Sequence, residues 1–199
     1  TPSGAAGANY TVNFVTSTFT INPAALTVTA NSGLSKTYGD DDPPLTYTIT
    51  GFVNGDTESD LDVPVSIARE QGEDPGEYTV TPSGASDANY TVNFVTSTFA
   101  ITPATLTIVG LTGDDKEYDG TQEATVSGTP ILTGVRTGDQ VSLVDNTSFA
   151  FAQSNVGTDI TISTSGYSLI GSDADKYNLV QPTLSADITP AALTVTANS

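Results

Sequence analysis

Lysine is the scarcest chemically useful side chain in this sequence, and its placement repeats. Lys36, Lys116 and Lys176 are the only ones, and two of them open the same short element. That element reads Lys36-Thr-Tyr38-Gly39 and then Lys116-Glu-Tyr118-Asp119-Gly120, 80 residues on. Residues two apart on an extended segment share a face, so Lys36 and Tyr38 project together. A lysine held beside an acid in an apolar pocket can form an isopeptide bond with Asp or Asn and stiffen a β domain. The plainer reading is a lysine stem packed beside a core tyrosine, its ammonium paired with a nearby carboxylate. The plainer reading is preferred, because a spaced lysine is a common pattern.

Acid is as abundant as base is scarce. The 199 residues hold 23 acidic and 5 basic side chains, a net charge of −18. Three runs could gather oxygen ligands: Asp40-Asp41-Asp42, Asp114-Asp115 with Asp119, and Asp173 with Asp175. Calcium takes about six to eight oxygens and is the candidate cation. The preferred set is Asp114, Asp115 and Asp119, where a bound ion would lock adjacent domains; Asp40, Asp41 and Asp42 come second. None has EF-hand spacing. Solvated turn carboxylates are the alternative reading, and no cofactor is required by any motif. Glu70/Glu73 and Glu58/Asp60 have the composition of a glycosidase pair, but nothing places either in a cleft.

The missing residue types remove more chemistry than the present ones offer. There is no Cys, His, Met or Trp. Thiol nucleophiles, disulfides, imidazole ligands and Ser–His pairs are therefore excluded. Clustered Lys and Arg, which phosphate contacts need, are absent, so nucleic acid is not an expected partner. The charge also disfavours anionic membranes, and no apolar run approaches the roughly 18 residues needed to cross one. No enzyme activity is expected.

The elements that hold these residues come from an internal repeat. Residues 1–21, TPSGAAGANYTVNFVTSTFTI, return as residues 81–101 with three differences. Ile21-Asn-Pro-Ala-Ala-Leu-Thr-Val returns at Ile101 and again at Ile188. The expected organisation is a repeat tail over 1–22, a complete domain over 23–102, a diverged domain over 103–189, and the first strand of a further repeat over 190–199. With no signal peptide and a start at Thr1, the chain reads as part of something longer. Orphaned terminal strands normally fray, so the ends are expected to pair with a neighbouring domain or another copy of the chain.

Alternation of period two predicts strands throughout, for example Leu26/Val28, Tyr47/Ile49, Val63/Val65/Ile67, Tyr90/Val92/Phe94, Ile160/Ile162 and Leu184/Ala186/Ile188. Thr and Ser fill the opposite faces. One short helical turn is expected within 54–61. Each repeat is thus an all-β domain of antiparallel strands, an immunoglobulin-like sandwich by preference. A β-grasp-like sheet with one short helix is the alternative.

The first domain resembles the MBG family of YGX type. Leu26-Thr-Val-Thr-Ala30, Lys36-Thr-Tyr-Gly-Asp40, Gly51-Phe-Val-Asn-Gly-Asp-Thr57, Gly76-Glu-Tyr78 and Asn89-Tyr90-Thr91 carry the likeness. The second resembles the YDG family through Lys116-Glu-Tyr-Asp-Gly120, Gly138-Asp139, Asn155-Val-Gly157 and Asp175-Lys-Tyr-Asn178. The resemblance implies tandem modules of large secreted or surface-attached bacterial proteins, often adhesins, and an extracellular location. It brings no catalytic residues. The expected function is a stalk or spacer whose partners are neighbouring repeats. A filament or matrix subunit assembling by strand complementation is the second expectation. A glycan- or protein-binding module is the third.

Overall fold

The computed structural model describes residues 2–197, apart from the side chains of Asn146 and Ser165. Thr1 of the expected opening tail and Asn198 and Ser199 of the expected closing strand lie outside the described residues. The chain is all-β, as its alternation requires. The first repeat holds β1 (Ala24–Ala30), β2 (Leu34–Thr37), β3 (Tyr47–Thr50), β4 (Ser66–Arg69), β5 (Gly76–Ser83), β6 (Tyr90–Val95) and β7 (Ser97–Thr102). The second holds β8 (Ala104–Gly113), β9 (Lys116–Glu117), β10 (Val126–Thr133), β11 (Ser142–Phe151), β12 (Gly157–Ile170), β13 (Tyr177–Val180) and β14 (Leu184–Thr189). The helical turn expected within 54–61 is a 3-10 turn, Glu58–Asp60, and a second occupies Ala174–Lys176. A β-grasp sheet needs a helix across one face, and three-residue turns do not supply one.

Two compact units are present. The first comprises the chain up to Ser32, Leu45–Glu70 and Thr79–Ser97. Its sheet has the order β3-β1-β6. Strand β1 pairs antiparallel with β3 and parallel with β6, Ala24 opposite Tyr90 and Leu26 opposite Val92. Leu26, Val28 and Ala30 are buried on one face of β1, as period-two alternation places them.

The second unit comprises Gly33–Pro44, Gln71–Tyr78 and the chain from Thr98 onward. It holds two sheets, β10-β8-β13 and β11-β12-β14-β9. Phe151, Ile160, Ile162, Ala186 and Ile188 form its core, with Val126, Phe149 and Leu184 against them. Leu106 and Ile108 of β8 are also buried. The sheets close tightly at Gly113, where an added Cβ would lie 2.6 Å from Ile162 Cδ1. This unit also contains the parallel pair β2/β7, Lys36 opposite Ile101.

The expected all-β fold is present, and its sheets combine antiparallel pairs with parallel ones: β1/β6, β2/β7, β8/β13 and β9/β14 run parallel. Alternation fixes which face a residue takes, not the direction of its neighbour, and long crossovers permit parallel pairing. Among the described residues, 2–23 form no strand, and their only ladder contact is an isolated bridge, Gly7 to Tyr10. Residues 190–197 likewise form no strand.

Candidate functional site

The repeated Lys-x-Tyr element lands on equivalent scaffolds. The Tyr38 amide donates to Thr102 O at 2.7 Å, and the Tyr118 amide donates to Thr189 O at 2.8 Å. The hydroxyls of Thr102 and Thr189 donate to the carbonyls of Lys36 and Lys116, each at 3.2 Å. Parallel pairing with β7 or β14 thus fixes each tyrosine just past the end of a short strand. From there the two diverge: Tyr38 is 9% exposed and Tyr118 is 43% exposed.

Tyr38 is buried because residues 134–139 and 173–177 close over it, all within the second unit. Its hydroxyl donates to the Asp139 carboxylate, at 3.0 Å to Oδ2 and 3.2 Å to Oδ1. The Tyr177 hydroxyl donates to the same carboxylate and accepts from the Arg136 amide at 3.1 Å. The two rings meet edge to face, 5.6 Å between centroids at 84°, a favoured aromatic arrangement. One carboxylate therefore serves two nearly buried phenols. Burial first, and then the bond to Asp139, raise the pKa of both tyrosines.

Charge surrounds this core. Arg136 donates to Gly39 O at 2.8 Å and pairs with Asp40 at 2.9 Å. Lys176 pairs with Asp74 at 2.9 Å and Asp173 at 3.0 Å, which raises its pKa. Both cations also lie over the Tyr38 ring, at 5.9 and 5.2 Å from its centroid. Arg136 and Lys176 are two of only five basic residues in the chain. Both come from the second repeat and meet acids of the first. Gly39 has φ +78°, and an added Cβ would fall 2.1 Å from Arg136 Nε. A glycine is needed there for backbone conformation and for space.

Lys36 is ion-paired. Its Nζ meets Asp42 at 2.7 Å and also Glu73, and its pKa is raised by Asp42 first. Isopeptide chemistry needs a neutral amine, whereas both partner carboxylates reach solvent and hold the lysine charged. Lys116 instead braces the turn that follows it, donating to Asp119 at 2.9 Å and to the carbonyls of Thr121 and Glu123. The Thr121 amide and Lys116 hold the Asp119 carboxyl down at about 2.

The acidic runs are dispersed. Asp40 faces Arg136 and Asp42 faces Lys36. Asp115 accepts from the Asp187 amide, while Asp119 is engaged with Lys116 and Thr121. Among the described residues no three acidic side chains converge as metal ligands would, so Asp114, Asp115 and Asp119 are not brought together, nor are Asp40, Asp41 and Asp42. The paired acids are also occupied: Glu73 by Lys36, Glu58 by the Tyr47 hydroxyl and Asp60 by the Thr57 amide.

Sequence reasoning singled out Tyr38 and Gly39 as a candidate element but missed Arg136, and it quoted Asp139, Lys176 and Tyr177 without joining them to that element. A signal existed. Gly51-Phe-Val-Asn-Gly55-Asp56 and Gly134-Val-Arg-Thr-Gly138-Asp139 share Gly-x-x-x-Gly-Asp, and each is followed by a tyrosine that opens a strand, Tyr90 or Tyr177.

Together, two β repeats and a polar joint between them describe a tandem of repeat-type β domains. Residues 26–100 match the family described as MBG domain (YGX type), and residues 102–186 match the YDG domain family. The chain thus carries MBG-type and YDG-type matches in tandem over these residues. No curated protein matches it.

Proposed function

We propose that this chain is a non-catalytic spacer, a stretch of stalk from a large secreted or surface-attached bacterial protein. One observation carries the reading. The junction of the two domains is a built contact, with two phenols on one carboxylate, an edge-on ring pair and two cations matched to Asp40 and Asp74. Domains that are merely strung together do not need such a joint, and relative motion is otherwise the default. A joint that resists bending holds a distal module away from its anchor. The high negative charge favours solubility and keeps neighbouring stalks apart. The extracellular placement rests on the resemblance of the domains to surface repeats. Neighbouring repeats are the expected partners, and neither nucleic acid nor a cofactor enters the reading.

Small-angle scattering on a longer tandem tests it, first with calcium and then with chelator. The spacer reading expects a rod in both conditions. A flexible string in both would overturn it, and a rod that loosens only on chelation would restore calcium to the junctions.

A second reading has its own observation. Tyr10, Val15, Phe19 and Ile21 are more than four-fifths exposed, as are Leu193 and Val195. The same residue types at Tyr90, Phe99, Ile101, Leu26 and Val28 are buried. Segments 8–15 and 191–196 repeat β6 and β1, which pair in parallel. Two copies could therefore form that pair in trans and build a filament. Concentration-dependent polymers in sedimentation would favour this reading; a monomer at all concentrations would remove it.

A further inference from the structure

The socket that holds Tyr38 is present a second time. In the second repeat, the Arg136 amide donates to the Tyr177 hydroxyl, which donates to Asp139, whose own amide donates back to Arg136 O at 3.2 Å. In the first repeat, the Val53 amide donates to the Tyr90 hydroxyl at 3.2 Å. Tyr90 donates to Asp56 Oδ2 at 2.7 Å, and the Asp56 amide donates back to Val53 O at 3.0 Å. Tyr90 and Tyr177 occupy the same register, opposite Ala24 and Ala104. The hydrogen-bonded framework is the same in both repeats.

What differs is the occupant. At Asp139 the carboxylate receives Tyr38 as well as Tyr177, with the Tyr38 hydroxyl reaching both of its oxygens. At Asp56, among the described residues, Oδ1 has no partner, and beside it lies a cavity of about 480 Å³. The cavity is walled by the turn around Val53 and Asp56, by Tyr90, and by Ile21–Ala24. The last wall is informative. Its counterpart, Ile101–Ala104, is the link that enters the second repeat from the first, and it runs beside the docked Tyr38. The Asp56 cavity therefore lies where an adjoining repeat enters. Phe52 already meets Tyr90 edge-on at 5.7 Å, and Asp56 is the one charged side chain of the cavity wall, which it shares with Asn54 and Asn89.

A matching plug is also present. Tyr118 sits on the scaffold of Tyr38, is 43% exposed, and among the described residues its hydroxyl has no partner. The neighbouring side chains are exchanged in concert. Gly39 faces Arg136, whereas the plug at Tyr118 carries Asp119 in place of the glycine, and the Asp56 socket carries Val53 in place of the arginine. Where the socket side chain is long the plug has none, and where it is short the plug has one.

We propose that a socket of the Asp56/Tyr90 kind receives the tyrosine of a Lys-x-Tyr-Asp-Gly element, the element of Tyr118, wherever a repeat like the second is followed by one like the first, as residues 190–199 begin. The joint made by Tyr38 is then one of two side-chain versions of a tyrosine-in-socket link. The proposal extends the spacer reading and rests on it, since it makes a second kind of junction rigid.

Residues 190–199 repeat 23–32 without a difference. Joining residue 199 of one copy to residue 33 of a second therefore continues the repeat in register. The chain has no Cys, so spin labels on introduced cysteines are unambiguous. One label pair, at Glu77 and Ser168 of the same copy, spans the Tyr38 joint. A second pair, at Ser168 of the first copy and Glu77 of the second, spans the proposed one. Electron–electron distance measurements should give equally narrow distributions for both pairs. Tyr118→Ala in the first copy, or Asp56→Asn in the second, should broaden the second pair about twofold and leave the first unchanged. A second pair that is broad beside a narrow first pair overturns the proposal, as does a narrow second pair indifferent to both substitutions. Broad distributions for both pairs would instead overturn the spacer reading itself.

Discussion

The two tyrosines, Tyr38 and Tyr118, begin from the same local chemistry and end in different states. Each follows a Lys-x pair, each is pinned by an amide bond to a Thr carbonyl, and each lies beside a parallel strand pair. One is buried on Asp139 and Tyr177; the other faces solvent. The difference teaches that the short motif sets position and the adjoining domain sets burial. A Lys-x-Tyr element is half of a contact, and its energetics belong to the socket it meets.

The largest expected effect breaks the occupied joint at its acceptor. Asp139→Ala leaves two nearly buried phenol hydroxyls without their acceptor, at about 1–3 kcal/mol each. Denaturant unfolding followed by tyrosine fluorescence should show that loss in the second unit. Asp56→Ala deprives one phenol and should cost about half as much. Equal costs would mean that Tyr38 gains nothing from Asp139.

Tyr38→Phe keeps the ring and removes the hydroxyl. It should cost about 1–2 kcal/mol, a bond to a charged acceptor at a partly solvated site. In the same assay Tyr118→Phe should stay within about 0.5 kcal/mol, as exposed substitutions do. An equal loss at both positions would contradict the contrast between them.

Alkali sharpens the same comparison. Tyr38 and Tyr177 titrate above the ordinary tyrosine value of 10.0, first because of burial. A raised folded-state pKa means that the folded form holds its proton longer. The stability is complete below about pH 10 and is lost as pH climbs from there through the folded pKa values. Stability measured from pH 9 to 12 should fall, and Tyr38→Phe with Tyr177→Phe should flatten that fall; Tyr118→Phe should not. On the acid side, the Asp119 carboxyl is held at about 2 against a usual 3.8, so its contribution is lost between those values as pH drops.

Smaller effects belong to the charged surround. Gly39→Ala forces φ +78° on a residue with a Cβ and displaces Arg136, and should cost about 1–2 kcal/mol in thermal unfolding. Arg136→Ala should cost at most about 1 kcal/mol, because its pair with Asp40 is open to solvent. Calcium should leave the melting temperature unchanged, since the acidic runs are divided among Arg136, Lys36 and Lys116.

Most of the strand content was legible in the sequence, because alternation such as Leu26/Val28 reports a buried face directly. Strand direction was not: Leu26 reads the same whether its neighbour Val92 runs parallel or antiparallel. The end segments show the limit most sharply. Residues 81–101 and 1–21 are nearly identical, yet Phe99 is fully buried in β7 and Phe19 is 89% exposed. A half-apolar strand gains nothing from alternation until another strand supplies hydrogen bonds and a face to cover. The joint was half legible. Tyr38 and Gly39 stood out by repetition, but Asp139 resembled an ordinary Gly-Asp turn, and Tyr177 lies 139 residues from Tyr38 in sequence. Nothing local announces that one carboxylate will serve both. The acidic runs are divided for a related reason: a run of acids is visible in one dimension, while the cations that divide it arrive from elsewhere in the chain.

The central claim is that the Tyr38 joint makes its two sides one rigid body. Residual dipolar couplings in a weakly aligned sample test it most directly, comparing amides of 33–44 and 71–78 with those of β10 to β14. The account predicts that a single alignment tensor fits both sets, and that Asp139→Ala splits it into two. Two different tensors in the unsubstituted protein would contradict the account.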